Sequence, residues 1–248
     1  MLARFRDTTN ENALARRFGG GFDPAPYGTL ALWLDAADAS TLSLSSTTVT
    51  QWRDKSTLAN HAAPVGSPVF AATGVNGKPS ISLNGSSMGF RGALANTGTV
   101  STTFIVATLN TSTSINGRLV SLAGNTGADY NNASFLIPLL RNGNAQELAT
   151  YYNGSVRSVS SVPTYDTPFY ATAVVNGTNN TTFMNGIAGT TSAMSPTFAI
   201  TKYAVGTQPN ANGDWWKGYV SEVLVYNSAL STPDRQTVEA YLATKWGI

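Results

Sequence analysis

From residue 29 onward the chain is a succession of short apolar or alternating runs separated by polar turns. The runs are TLALWL (29–34), SISLN (80–84), TTFIVATL (102–109), RLVSLA (118–123), SFLIPLL (134–140), FYATAVV (169–175), NTTFMN (180–185) and KGYVSEVLVY (217–226). Each has strand length and is enriched in β-branched or aromatic residues, which fit a pleated, half-buried surface. Asn-Gly recurs at 76, 84, 116, 142, 153, 176, 185 and 212. That dipeptide supplies the two positive-φ residues of a type I′ turn and is a strong short-range hairpin signal. Of the hairpins, AVVNGTNNTTFMNG (173–186) is the clearest. Many short strands joined by such turns predict an all-β, antiparallel two-sheet sandwich of the jelly-roll kind.

The last strand and the segment after it are the most informative. In KGYVSEVLVY, strict alternation puts Val220, Glu222, Leu224 and Tyr226 on one face, and Tyr219, Ser221, Val223 and Val225 on the other. Both rows are largely apolar, as expected if the sheet is covered on both sides or if a bulge near Glu222 shifts the phase. Just upstream, Trp215 and Trp216 are adjacent, so in extended chain one points inward and one outward. Ser231 as N-cap with Asp234 three residues on, Pro233 in the first turn, apolar Val238, Tyr241, Leu242 and Trp246, and Gly247 as stop predict one C-terminal helix over 232–246.

Residues 1–28 differ from the rest. They carry Arg4, Arg6, Arg16 and Arg17, spaced apolar residues including Phe5 and Phe18, a Gly19-Gly20-Gly21 hinge, and Pro24 and Pro26. Too short and polar to build a core, they read as an arm ahead of a domain spanning 29–248. Arg4, Phe5, Arg6, Arg16, Arg17 and Phe18 are its expected partner-binding residues, with Arg16-Arg17 beside Phe18 as a clamp for an acidic groove; the alternatives are an arm folded back on its own domain, or arginines that only keep a tail soluble. No run approaches the ~18 apolar residues of a spanning helix, and MLARFRDTTNENALARRF lacks the apolar core of a secretory leader.

Composition narrows the function classes. Apolar residues make up 42% of the 248, whereas charged residues reach only 11%, against roughly a quarter in an average domain. The surface is therefore built from Ser, Thr, Asn and Gly, as in extracellular and virion β proteins. From Thr29 on, eleven Lys/Arg face ten Asp/Glu, so no sustained basic field exists to bind nucleic acid, and no membrane partner is expected. The absence of cysteine excludes disulfides, thiolate metal sites and a cysteine nucleophile.

Two blocks carry a family resemblance. LALWLDAADASTL (30–42), VTQWRDKSTLANHAAP (49–64) and GKPSISLNG (77–85) form an opening block, a strand ending in Asp followed by W-x-D-K-S and a loop into a core strand. GYVSEVLVYNSALSTPDRQTVEAYLATKWG (218–247) forms a closing strand and helix. Together they resemble the concanavalin A-like, laminin-G-type jelly rolls of bacterial surface proteins and tailed-phage virion proteins. The resemblance implies the fold, but not the function, because this fold serves lectins, glucanases, adhesion domains and capsid ornaments alike.

Candidate chemistry is sparse. A glycosidase needs two carboxyl groups about 5–10 Å apart, and glucanases of this fold carry them at i and i+4 on one strand. Glu147, Glu222 and Glu239 each lack a carboxylate two or four residues away on a strand. Asp35 and Asp38 follow a strand end and are expected to accept turn N–H groups. His61, the sole histidine, has no Gly-x-Ser-x-Gly elbow in the chain. It reads as a loop residue, and Arg53-Asp54-Lys55 as a solvated turn with a local ion pair. Trp33, Trp52 and Trp246 read as structural. Calcium is the one cofactor for which weak candidates exist: Asp129 beside Asn131 and Asn132, and Asp214 beside Asn210 and Asn212. Trp215, Trp216, Asp214 and Asn212 are the possible glycan-binding residues.

The expectation is therefore a non-enzymatic display protein of a phage virion surface, a jelly roll tethered by its arm to capsid or tail proteins and associating with its own copies there. The alternative is a lectin-like, carbohydrate-binding adhesion module that recognises host cell-surface polysaccharide at an extracellular or bacterial surface.

Overall fold

A computed structural model describes residues 22–95, 98–110, 117–124, 134–142 and 145–248. Its first strands are β1 (Leu30–Asp35), β2 (Leu42–Ser45), β3 (Thr48–Trp52), β4 (Ala63–Val65), β5 (Val69–Ala71), β6 (Ser80–Asn84), β7 (Gly89–Ala93), β8 (Ser101–Ala107) and β9 (Arg118–Ala123). They are followed by β10 (Ser134–Asn142), β11 (Ala145–Tyr152), β12 (Ser155–Val159), β13 (Phe169–Val175), β14 (Asn179–Met184), β15 (Ile187–Ala193), β16 (Lys202–Val205) and β17 (Lys217–Tyr226), and by helix α1 (Thr232–Trp246).

Among the described residues every strand pairing is antiparallel, and the strands form two sheets. A ten-stranded sheet runs β15-β14-β13-β8-β17-β6-β5-β3-β2, with β1 also on β17, and a seven-stranded sheet runs β12-β11-β10-β9-β16-β7-β4. The Asn-Gly turns do their predicted work at Asn153-Gly154 and Asn185-Gly186, where both residues have positive φ and close the β11–β12 and β14–β15 hairpins. The strands that periodicity did not single out include β2, β4, β5, β7 and β12, short segments of three to five residues, and the longer β11 and β15.

Two apolar layers follow from the alternation. The inner one lies between the sheets and contains Leu32, Leu34, Trp52, Ile81, Phe90, Ile105, Tyr203, Trp216, Val220, Val223 and Val225. The second lies outside the ten-stranded sheet, where Phe104, Val106, Tyr170, Leu224 and Tyr226 meet Val238, Tyr241, Leu242 and Trp246 of α1. Strand β17 is thus covered on both sides, which is why both its rows are apolar. It also carries a bulge: its register with β8 shifts between Val220 and Glu222. Val220 therefore joins the inner face of Val223 and Val225, instead of the Glu222 face that strict alternation assigns.

Helix α1 has its predicted bounds. The Ser231 hydroxyl accepts from the Asp234 N–H, and Gly247 ends the helix in the left-handed conformation. The Asn76 side-chain amide donates to the carbonyls of Trp246 and Gly247, which satisfies two of the helix's terminal acceptors. Residues 22–28, grouped with the arm by their Pro and Gly content, pack on the domain. Phe22 stacks on Tyr241 at 3.8 Å between ring centroids, and the Pro24 carbonyl accepts from the Tyr226 hydroxyl. Arg4, Phe5, Arg6, Arg16, Arg17 and Phe18 lie outside the described residues.

Candidate functional site

The bulge in β17 aims Glu222 under α1. Its side chain is fully buried and accepts four bonds: from Trp33 Nε1 (2.8 Å) and the Tyr241 hydroxyl (2.8 Å) on one oxygen, and from Lys245 Nζ (2.8 Å) and Trp246 Nε1 (2.7 Å) on the other. Asp35 sits opposite Glu222 in the β1–β17 ladder, and Lys245 bridges the two carboxylates. Burial, reinforced by the charge of Asp35, pushes the Glu222 carboxyl above its ordinary value. Tertiary structure thus brings together two acids that sequence spacing keeps apart. They are nevertheless closed to a substrate, since Glu222 has no exposed surface and all its lone pairs are engaged. The pair locks α1 to the sheet.

The W-x-D-K-S segment is more than a solvated turn. Asp54 is buried and accepts backbone N–H groups from Trp33 (2.7 Å), Ser56 (2.8 Å) and Asn60 (2.8 Å) as well as the Ser56 hydroxyl, so it pins the loop to β1. Lys55 reaches away from it to Asp35 (3.1 Å) and Asp38 (2.8 Å), and its ammonium lies 4.1 Å from the Trp33 ring centroid. The hydrogen bond from Lys55, then those from Ser40, hold the Asp38 carboxyl at about 2. Asp35 and Asp38 also accept the turn N–H groups of Ala37 and Ser40, as the sequence predicts. His61 is an exposed loop residue whose Nδ1 accepts from the Asp54 N–H.

Beside these contacts lies a groove of about 350 Å³, lined by Trp33 and Lys55 together with Asp23, Thr29, Ser56 and Thr57 among others. Trp33 is half-exposed here, and its indole is held at two points by Glu222 and Lys55. Of the charged residues, Asp23 and Lys55 line the groove, whereas Asp35, Asp38, Glu222 and Lys245 form an ion-pair network with Lys55 behind it.

The residues proposed for glycan binding from the sequence divide. Trp216 is no ligand platform: it is fully buried, donates from Nε1 to the Thr108 carbonyl (3.0 Å) and meets Phe169 edge-on. The physical reason is the alternation itself, which turns Trp216 into the core and leaves Trp215 half-exposed. Asp214 pairs with buried Arg118 (2.7 Å) and accepts from Gln208 Nε2 (2.7 Å), so both its charge and its geometry serve the loop. Asn212 is exposed on that loop. Of the two calcium candidates, Asp214 is therefore occupied by a cation of the chain itself, and Asp129 lies outside the described residues. Sequence reasoning took Trp33 as purely structural, whereas its partly exposed ring lines the groove.

No protein-family model matches this sequence, and no curated protein matches it. Among solved structures the chain is similar to domain 4 of AbnA, a GH43 extracellular arabinanase from Geobacillus stearothermophilus in complex with arabinotriose. The identity is 16% and the TM-score 0.63, over 86% of this chain and 98% of that domain. It is also similar to Trypanosoma rangeli sialidase, with 14% identity and a TM-score of 0.62 over 94% of this chain. A third likeness is to the receptor binding domain of botulinum neurotoxin C/D mosaic serotype, with 12% identity and a TM-score of 0.59 over 86% of this chain. The chain spans 37% of the sialidase and 51% of the neurotoxin domain. What is shared at such identities is the fold, a two-sheet antiparallel β-sandwich. The virion kinship expected from the sequence is no part of these likenesses.

Proposed function

We propose that the chain is a carbohydrate-binding β-sandwich module that holds a neutral saccharide in the Trp33 groove. The observation that carries this reading is the immobilised, half-exposed Trp33 among the groove-lining hydroxyls of Thr29, Ser56 and Thr57. A sugar ring presents an apolar C–H face and a polar hydroxyl edge, which an aromatic plane beside hydroxyl and carboxylate groups complements. Because Glu222 and Lys55 already fix the indole, binding orders little more of the protein. The charged residues lining the groove, Asp23 and Lys55, are one of each sign, which favours a neutral sugar over a charged one. Support also comes from the likeness to an arabinanase domain that holds arabinotriose, over nearly all of that domain. This support favours the lectin-like alternative over virion display.

The test is a neutral-glycan array followed by calorimetric and fluorescence titration, with arabinotriose as first probe. Trp52, Trp216 and Trp246 are fully buried, so quenching reports on Trp33 or Trp215. Trp33→Phe should abolish the quenching and weaken binding at least tenfold, and Thr57→Trp should block the groove while leaving the Glu222 contacts intact. Loss with Trp215→Phe in place of Trp33→Phe would move the site to the 207–216 loop. Absence of binding to every neutral glycan would refute the proposal.

A further inference from the structure

The other sheet carries a second concavity, independent of the Trp33 groove, with a volume of about 260 Å³. Ala63, Arg91, Gly92, Lys202, Tyr203 and Pro209 line it. Its chemistry follows from register. Arg91 pairs with Ala204 across β7–β16, and Lys202 pairs with Ala93, so the two cations are diagonal neighbours on one face, roughly 7–8 Å apart at Cα. Phe90, Tyr203 and Val205, at the intervening positions, belong to the core, so Arg91 and Lys202 point out of the sandwich. On the flanking strands, Ala63 lies beside Arg91 and Ala123 beside Lys202.

Every cross-strand neighbour of the two cations is thus an alanine, which offers neither a carboxylate nor bulk. Arg91 is exposed and Lys202 half-exposed, and neither forms an ion pair among the described residues. Lys55, Arg118, Arg235 and Lys245 have carboxylate partners; Arg53, Lys78 and Lys217 also form no ion pair among the described residues, so what marks Arg91 and Lys202 is their adjacency across β7–β16. Like charges on neighbouring strands repel, and an anion placed between them relieves that repulsion. A guanidinium also offers a planar two-bond fork to a carboxylate. The floor is rigid: a Cβ on Gly92 would come within 2.5 Å of the Tyr203 ring, and the Tyr203 hydroxyl is tied to the Asn60 carbonyl at 2.7 Å. A volume below the roughly 300 Å³ at which ordinary ligand pockets begin suits one small charged group.

We propose that this concavity binds the carboxylate of an acidic sugar residue, the sugar resting on the saccharide-binding reading of the module, with Arg91 gripping the carboxylate and Lys202 supplying the second charge. The experiment is calorimetric titration of the full chain at low ionic strength with trigalacturonate, its neutral methyl ester and inorganic sulfate. The expected result is saturable binding of trigalacturonate, at least tenfold weaker binding of the ester and of sulfate, and a fall in affinity as salt is raised. Arg91→Ala and Lys202→Ala should each weaken trigalacturonate binding at least fivefold with unchanged thermal stability, and Trp33→Phe should leave it intact. No binding, equal binding of ester and acid, equal binding of sulfate, or indifference to both substitutions would overturn the proposal. Failure of the Trp33 reading is separable, because it is scored on neutral saccharides and a different variant.

Discussion

Asp35 and Glu222 face each other across the β1–β17 ladder, and the ammonium of Lys245 lies 2.8 Å from a carboxylate oxygen of each. One cation of the C-terminal helix therefore bridges two acids of the sheet, with Lys55 also on Asp35, in a site where Glu222 has no exposure. A buried charge is tolerable only when paired and fully hydrogen-bonded, so the three residues stand or fall together.

Removing the cation should expose that dependence. Lys245→Met leaves Glu222 buried with like charge opposite, and is expected to cost about 3–5 kcal/mol in urea unfolding. Adding Glu222→Gln removes the uncompensated charge while keeping much of the hydrogen bonding. The double variant should recover part of the loss, and strict additivity would show that the residues do not act as a unit.

The acid limb of stability should carry the signature of Asp38. Its carboxyl titrates at about 2, below the ordinary 3.8. A depressed value means that its contribution is fully present above pH about 4 and is lost as the pH falls toward 2. Asp38→Asn should flatten that part of a urea-midpoint profile measured from pH 6 to pH 2. Glu222 works in the opposite sense: its raised value makes folding weaken as the pH rises through the range above its ordinary 4.5.

Adjacent tryptophans should behave as different residues. Trp216→Ala removes a fully buried ring and its bond to the Thr108 carbonyl, with an expected cost of about 3–5 kcal/mol. Trp215→Ala removes a half-exposed ring and should cost under about 1 kcal/mol. Thermal denaturation of the two variants measures the contrast.

The bulge in β17 makes its own prediction. Val223 and Val225 are buried on the inner face, so Val223→Asp or Val225→Asp introduces an unpaired charge into the core and should cost more than about 4 kcal/mol. Val220→Asp should be comparably severe, since the register shift places Val220 on the same face. Near-native stability of Val220→Asp would restore strict alternation.

Local patterns determined a large part of this molecule. Strands β6, β9, β13 and β17 and helix α1 have the bounds that periodicity, Asn-Gly turns and the Ser231 and Gly247 caps predict, because those signals act between residues a few positions apart. The opposite orientations of Trp215 and Trp216 follow from the same geometry. Short segments such as β4 and β5 were not legible, since three residues carry too little pattern and form strands only because a neighbour offers a ladder. The groove and the charge networks belong to tertiary structure alone. Glu222 meets Trp33 across 189 positions, and Arg91 lies diagonal to Lys202 only because β7 and β16 pair in one particular register. Contacts at such separations depend on how the whole chain closes the sandwich, which no window of sequence contains.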